Sequence, residues 1–177
     1  MHTEKLSKIE LLLLDVDGVL TDGQIVWDSE GREIKSFNVK DGQGIKMLQR
    51  AGVRVGIITA RNSVVVDLRA KELGIGIVRQ GVKDKRVAYA EIRDSLGLQN
   101  SQIAYMGDDV IDIPVLRQVG FSMAPSDAVV DLFEIVDRIS AKPGGRGAVR
   151  ECCDLILKGR GQWDDVVGVP FGVLHAA

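Results

Sequence analysis

Strands alternating with helices predict a doubly wound α/β fold for this 177-residue chain, with a Rossmann-like, mostly parallel sheet. Three observations carry that expectation. The apolar run at 11–14 is continuous rather than alternating, as in a strand buried on both faces, and further strand-like apolar segments follow at 53–59 and 103–106. Segments of helical period lie between them. Glycines stand where those helices should stop, at Gly52, Gly74 and Gly97.

The elements follow in order. The first strand, 11–14, runs into Asp15-Val16-Asp17-Gly18. Residues 24–28 and 33–39, with a turn at Gly31, predict a β-hairpin flap over about 24–39. Asp41 is placed to cap a helix that runs to Ala51. A second strand covers 53–59. Asn62 or Ser63 then opens a helix with Val65, Leu68 and Leu73 inward. After a short third strand at 75–78, Asp84 opens a helix with Ala88, Ile92 and Leu96 at four-residue spacing. The fourth strand, 103–106, precedes Gly107-Asp108-Asp109 and a helix near 113–119. A fifth strand near 121–123, a helix after Pro125 and a sixth strand at 136–139 complete the sheet. A glycine-rich loop at 143–147 leads to a last helix with Val149, Cys152, Cys153 and Ile156 at i, i+3, i+4 and i+7. That spacing makes the two cysteines core packing rather than chemistry. A tail from Gly159 carries Trp163 and Phe171. One domain spans 1–177, with no internal repeat.

Composition narrows the function. The 25 acidic and 23 basic residues leave a net charge of −2, and aromatics make up 5%. No basic footprint for nucleic acid or a membrane surface is present, so small molecules and proteins are the expected partners. The cysteines are adjacent and form no disulfide framework, and the histidines, His2 and His175, make no zinc set. The N-terminal segment is too short and polar for a signal peptide or membrane span, which predicts a reducing, cytoplasmic location.

The polar residues gather at one predicted edge. In such sheets ligands bind beyond the carboxyl ends of the strands. Asp15 and Asp17 end the first strand, Thr59 the second, and Asp108 and Asp109 follow the fourth, while Lys85 lies beyond the third. Carboxylates as close as Asp15 and Asp17 repel unless a cation or a shared proton intervenes. With Asp108 as a third oxygen donor, the set suits Mg²⁺. Thr59 and Lys85 precede helix N-termini, where free amides suit a phosphate. Two plainer readings stand beside these: Gly107-Asp108-Asp109 as a capped turn, and Lys85 as a solvated surface lysine.

These residues, in this order, resemble the phosphatases of the haloacid dehalogenase superfamily. Asp15-Val16-Asp17-Gly18-Val19-Leu20-Thr21-Asp22 looks like the first motif, and Thr59, Lys85 and Gly107-Asp108-Asp109-Val110-Ile111-Asp112 like the second, third and fourth. Asp22-Gly23, the run 37–42, Arg61-Asn62-Ser63, Arg69-Ala70, Gln80-Gly81 and the run 144–151 are similar to the branch typified by 3-deoxy-D-manno-octulosonate 8-phosphate (KDO 8-phosphate) phosphatase. Ala60 stands where that branch commonly has glycine.

The resemblance implies a Mg²⁺-dependent phosphatase of a sugar-acid phosphate, in lipopolysaccharide precursor synthesis. Asp15 is then the nucleophile and Asp17 the general acid and base. Asp15, the backbone carbonyl of Asp17 and Asp108 hold the metal, and Thr59 and Lys85 hold the phosphoryl group. Asp109 and Asp112 orient Lys85 or metal-bound water. Asn38, Val39, Lys40, Asp41, Gly42, Lys46, Arg61 and Arg69 contact substrate, alongside Asp17 and Lys85.

No segment is long enough for a separate cap domain. The resemblance implies a homotetramer whose hairpins and C-terminal segments complete each site. The alternatives are a nine-carbon sugar acid 9-phosphate as substrate, a non-catalytic assembly domain, and a phosphotransfer receiver domain. In a receiver, the acidic pair and the phospho-acceptor lie on different strands.

Overall fold

The four leucines Leu11–Leu14 form strand β1, and each is fully buried. Successive side chains of a strand point to opposite faces. Accordingly Leu12 and Leu14 enter one apolar core, and Leu11 and Leu13 enter the other. In this computed structural model, which describes residues 3–168, β1 is a central strand of a six-stranded sheet.

The remaining strands of that sheet are β4 (Arg54–Ile58), β5 (Ile77–Arg79), β6 (Ile103–Met106), β7 (Phe121–Ala124) and β8 (Arg138–Ile139). The hairpin strands β2 (Val26–Trp27) and β3 (Glu33–Ile34) pair apart from it. The order is β5-β4-β1-β6-β7-β8, with every pairing parallel. Chain order reverses direction at β1, the place where doubly wound sheets bind ligands.

The helices are α1 (Thr3–Leu6), α2 (Val39–Arg50), α3 (Val64–Leu73), α4 (Lys85–Ser95), α5 (Ile113–Leu116) and α6 (Ala148–Gly159). Residues of α2, α3 and α6 line the core of Leu12 and Leu14; those of α4 and α5 line the core of Leu11 and Leu13. Cys152 and Cys153 are fully buried in the first, as their spacing predicts. Among the described residues, only the β2–β3 hairpin lies between β1 and α2, and no cap domain is present. No helix among these residues is long and apolar enough to cross a membrane.

Several expected details are corrected. The hairpin pairs only Val26 with Ile34 and Trp27 with Glu33. Its return strand stops at Ile34, and the Asn38 side chain, accepting the Lys40 amide at 2.8 Å, starts α2. The N-cap of α2 is therefore Asn38, not Asp41. In α3 the inward stripe is Val66, Ala70 and Leu73, while Leu68 is 63% exposed.

The segment after Pro125 forms only a short 3₁₀ turn, Val130–Leu132. Its backbone is tied elsewhere: the Ser126 amide donates to the Lys142 carbonyl and the Val129 amide to the Asp108 carbonyl. Trp163 packs on this chain's own core, with the Lys158 ammonium 4.6 Å from its ring centre, and Val166 and Val167 beyond it are buried. That stretch of the tail does not lie free for a neighbouring subunit. Phe171 lies outside the described residues.

Candidate active site

Parallel register brings the site together. Leu14 is level with Ile57 of β4 and with Met106 of β6. Asp15, Thr59 and Asp108 lie just beyond these positions, so they leave the sheet at one edge. There a cavity of about 320 Å³ is lined by Asp15, Asp17, Gly23, Thr59, Ala60, Arg61, Asp108, Asp109 and Ile111. Thr59 and Asp15 are buried in its floor.

Lys85 is the first residue of α4, after Asp84, whose side chain caps the helix by accepting the Arg86 amide. It is not a solvated lysine, being 4% exposed. Its ammonium lies 2.7 Å from Asp15 Oδ2 and 2.6 Å from Asp112 Oδ1. Burial works to lower its pKa, but Asp15 and Asp112 outweigh burial and raise it above the ordinary lysine value. A fixed cation therefore sits beside the nucleophile candidate.

Asp112 is fully buried and serves as an organiser. Oδ1 accepts from Lys85 and from the Tyr105 hydroxyl, and Oδ2 accepts the amides of Asp108 at 3.1 Å and Asp109 at 3.3 Å. Burial, then the charges of Asp112 and Asp15, push the Tyr105 hydroxyl well above its ordinary pKa, so it remains a neutral donor. Asp109 accepts the Val110 amide at 2.6 Å and starts the 3₁₀ turn Val110–Asp112.

The donor set fits a hard divalent cation. One oxygen each from Asp15, Asp108 and Asp112 lies within 4.8 Å of the others. The oxygens of Asp112 already hold four donors, which leaves Asp15 and Asp108. The Asp108 carboxylate accepts no hydrogen bond from the described residues. It packs against Gly18 (φ +86°), where a Cβ would lie 2.0 Å from Asp108 Oδ2. Only glycine leaves that carboxylate room. Burial first, then the charges of Asp15 and Asp112, push Asp108 up to about 7. Burial, opposed by Lys85 and aided by Asp112, pushes Asp15 up to about 6. Crowded oxygen donors of this kind suit Mg²⁺.

Asp17 lines the same cavity, where two residues absent from the expected site set join it, Lys35 directly and Glu33 through Lys35 and Arg61. The Lys35 ammonium donates to Asp17 Oδ1 and lies 3.4 Å from Glu33 Oε1. Arg61 Nη2 donates to Glu33 Oε1 at 2.7 Å, and its Nε is 3.8 Å from Asp17 Oδ2. The only signal in the sequence was the two-residue spacing of Glu33 and Lys35, which puts both on one side of an extended strand.

Arg61 is the one arginine of the expected substrate contacts that lines this cavity. The structure does not bring Asn38, Val39, Lys40, Asp41, Gly42, Lys46 or Arg69 into it. Asn38 caps α2 and donates to the Gly145 carbonyl at 3.3 Å. Val39, Lys40 and Lys46 are exposed. Arg69 pairs with Glu72 at 2.8 Å and lies over the Phe37 ring. Gly42 is buried against Arg69. Asp41, 1% exposed, accepts the Gly147 amide at 3.2 Å and the Arg150 amide at 2.7 Å. It caps α6, whose own N-cap, Gly147, has no side chain for the task.

Comparison with known proteins agrees with this geometry. Residues 38–120 match the family model for haloacid dehalogenase-like hydrolases. The 3-deoxy-D-manno-octulosonate 8-phosphate phosphatase KdsC of Escherichia coli (strain K12) is 43% identical over 164 residues, covering 93% of this chain and 87% of its own. The crystal structure of the Yersinia pestis phosphatase of that name superposes with a TM-score of 0.91 at 44% identity, over 94% of this chain and 90% of its own. The Moraxella catarrhalis phosphatase, in complex with magnesium ion, phosphate ion and KDO, superposes with a TM-score of 0.93 at 42% identity, over 95% and 97%. This chain belongs to the KDO 8-phosphate phosphatase family of haloacid dehalogenase-like hydrolases.

Proposed function

We propose that the chain is a Mg²⁺-dependent phosphomonoesterase that converts KDO 8-phosphate to KDO and phosphate, for lipopolysaccharide precursor synthesis. The observation that carries this is that two carboxylates, Asp15 and Asp17, line one cavity with Thr59 in its floor, while Lys85 is bonded to Asp15.

An oxygen of Asp15 attacks phosphorus, and the bond to the sugar oxygen breaks. Asp17 gives its proton to that oxygen as KDO leaves. Asp17 then takes a proton from water as the water oxygen attacks the phosphorus of the aspartyl-phosphate. Phosphate departs and Asp15 is restored. Thr59 and Lys85 hold the phosphoryl oxygens, and Asp112 keeps Lys85 aimed at them. Asp15, the backbone carbonyl of Asp17 and Asp108 would hold Mg²⁺, which when bound neutralises the charge that otherwise keeps an anionic nucleophile from a phosphate. Arg61 offers a guanidinium to the sugar carboxylate.

The chain works as one domain, and its site is completed by assembly. Ile25, Val26, Trp27 and Ile34 of the hairpin are each at least 42% exposed, and Val39 and Val64 more so. A two-stranded hairpin is marginal alone. Packing of hairpins from other subunits covers this surface, and closed symmetry makes the assembly a homotetramer. Exposed Lys40 and Lys46, and Arg69 beside them, then contribute to a neighbour's site. A cytoplasmic setting fits the two buried free thiols.

The test is phosphate release over a panel of sugar phosphates with Mg²⁺, joined to light scattering. KDO 8-phosphate should give the highest kcat/KM, from a tetramer. Faster turnover of a nine-carbon sugar acid 9-phosphate would reassign the substrate. Equal, feeble turnover of every compound would leave only a non-catalytic role. A fully active monomer would remove the assembly.

A further inference from the structure

We propose that Lys35 is the positioning residue of the catalytic acid, holding the Asp17 carboxylate by one oxygen so that the other faces the leaving group. The proposal rests on the phosphatase reading above. Its starting observation is a buried cation on a wet hairpin. The β2–β3 hairpin exposes much of its apolar side, yet the Lys35 side chain is 2% exposed. A lysine so near solvent ordinarily keeps its ammonium in water and buries only its stem. Burying the ammonium is costly unless it is paired in good geometry.

Lys35 has that geometry. It donates to Asp17 Oδ1 and sits 3.4 Å from Glu33 Oε1. Glu33 is itself pinned, accepting from Arg61 Nη2 through Oε1 and from the Ser63 hydroxyl through Oε2. Ser63 caps α3. The hairpin is thus tied to the body of the protein at a fixed point, and Lys35 is carried to Asp17 by that tie.

Asp17 needs such a hold. Asp15 is fixed by the Val16 amide and Lys85, and Asp112 by four donors. Among the described residues, Lys35 alone donates a hydrogen bond to the Asp17 carboxylate. Without it, only the longer 3.8 Å ion pair with Arg61 Nε restrains the carboxylate. A general acid works only within hydrogen-bond reach of the oxygen it protonates. A misplacement on the order of 1 Å costs up to about 10²-fold. With Lys35 on Oδ1, Oδ2 is the oxygen left to deliver the proton, and the ammonium pairs with the carboxylate that remains.

The experiment compares leaving groups. kcat/KM reports steps up to phosphoryl transfer, before water attacks the intermediate. It is measured on KDO 8-phosphate, whose alkoxide leaves poorly, and on p-nitrophenyl phosphate, whose phenoxide leaves without help. Lys35→Met should lower kcat/KM by ~10–100-fold on the sugar phosphate and by less than ~3-fold on the aryl phosphate. Asp17→Asn should show the same split, larger. Lys35→Arg keeps the charge with a longer, planar head and should give a smaller split of the same sign. If Lys35→Met does not fold, by circular dichroism and light scattering, the Arg variant decides alone.

Equal losses on both substrates, or a change confined to KM, would overturn the positioning role. If Asp17→Asn shows the split and the Lys35 variants do not, the proposal fails and the phosphatase reading stands. If Asp17→Asn shows none, the acid assignment fails and the proposal with it.

Discussion

Asp41 offers a sharp test, because sequence resemblance and structure give it different work. The resemblance puts it on the substrate; the structure puts it under the N-terminus of α6, a helix on which α2 packs. Asp41→Ala removes the acceptor for the Gly147 and Arg150 amides. An amide left without its partner costs ~1–3 kcal/mol, and the lower end applies to these partly buried groups. Loss of an N-cap costs about 1 kcal/mol by the same interaction. Against this, burial raises the Asp41 pKa above the ordinary carboxylate value despite both amides, Arg150 and Arg69. Removing the charge therefore returns part of the loss.

The net expectation is a destabilisation of about 2 kcal/mol, or roughly 4–8 °C in Tm for a domain of this size. Asp41→Asn keeps one acceptor oxygen but turns an NH₂ toward the other amide, and should cost about half as much. The folded-state pKa lies above the unfolded one, so folding takes up a proton at Asp41. Its contribution is greatest below the ordinary carboxylate range and declines as pH rises through the raised value. Asp41→Asn should lack that slope. Urea unfolding at fixed protein concentration, read by far-ultraviolet circular dichroism, measures all three. An unchanged midpoint for Asp41→Ala, together with a higher KM for the sugar phosphate, would refute the capping role.

Asp15→Asn should abolish phosphate release while the unfolding midpoint stays within about 1 kcal/mol of the parent; substantial turnover would remove Asp15 as nucleophile. Chelation should stop activity and added Mg²⁺ restore it, while Ca²⁺, with its larger and looser coordination, should inhibit; full activity after exhaustive chelation would exclude the metal site. Burial pushes the Cys152 thiol up to about 12 and Cys153 well above its ordinary value. Both should therefore resist an aromatic disulfide reagent at pH 8 until denaturant is added, and prompt native labelling would place them outside the core. Gly44 touches α6, where a Cβ would lie 3.2 Å from Arg150 Cα and 3.3 Å from Cys153 Cβ. Gly44→Val should cost ~1–3 kcal/mol by forcing the two helices apart, and an unaltered Tm would show slack at that crossing.

The sheet was legible because its strands are buried on both faces. Leu11–Leu14 has no reading as a surface segment, and the gathering of polar residues at the strand ends follows from parallel register alone. What failed was local. Leu68 was expected inward because it is large; Ala70 goes inward because it fits, and apolar pattern weighs size over fit. Asp41 was read as the cap of its own helix, since a cap supplied across more than 100 residues of chain leaves no mark in the local sequence. Lys35 was passed over for a related reason: a charged residue on a hairpin reads as solvated until the fold shows two carboxylates beneath it.

With no cap domain among the described residues, that hairpin carries a double burden. A capped phosphatase can divide the work, closing over substrate with one domain and holding its acid with another. Here one short element faces both ways. Ile25, Val26, Trp27 and Ile34 present apolar surface outward, while Glu33 and Lys35 put charge inward on Arg61, Ser63 and Asp17. Only two ladder pairs and the Asp28–Arg32 bonds at its turn join the strands, and a two-stranded hairpin is marginal by itself. The inward charges need the hairpin held still, and the outward face needs covering; the assembly proposed above would meet both needs with one contact. On this account the assembly does more than shut out water. It would also set how firmly the proposed proton donor is held, which ties the hairpin's polar residues to the catalytic problem as its apolar ones are tied to the packing problem.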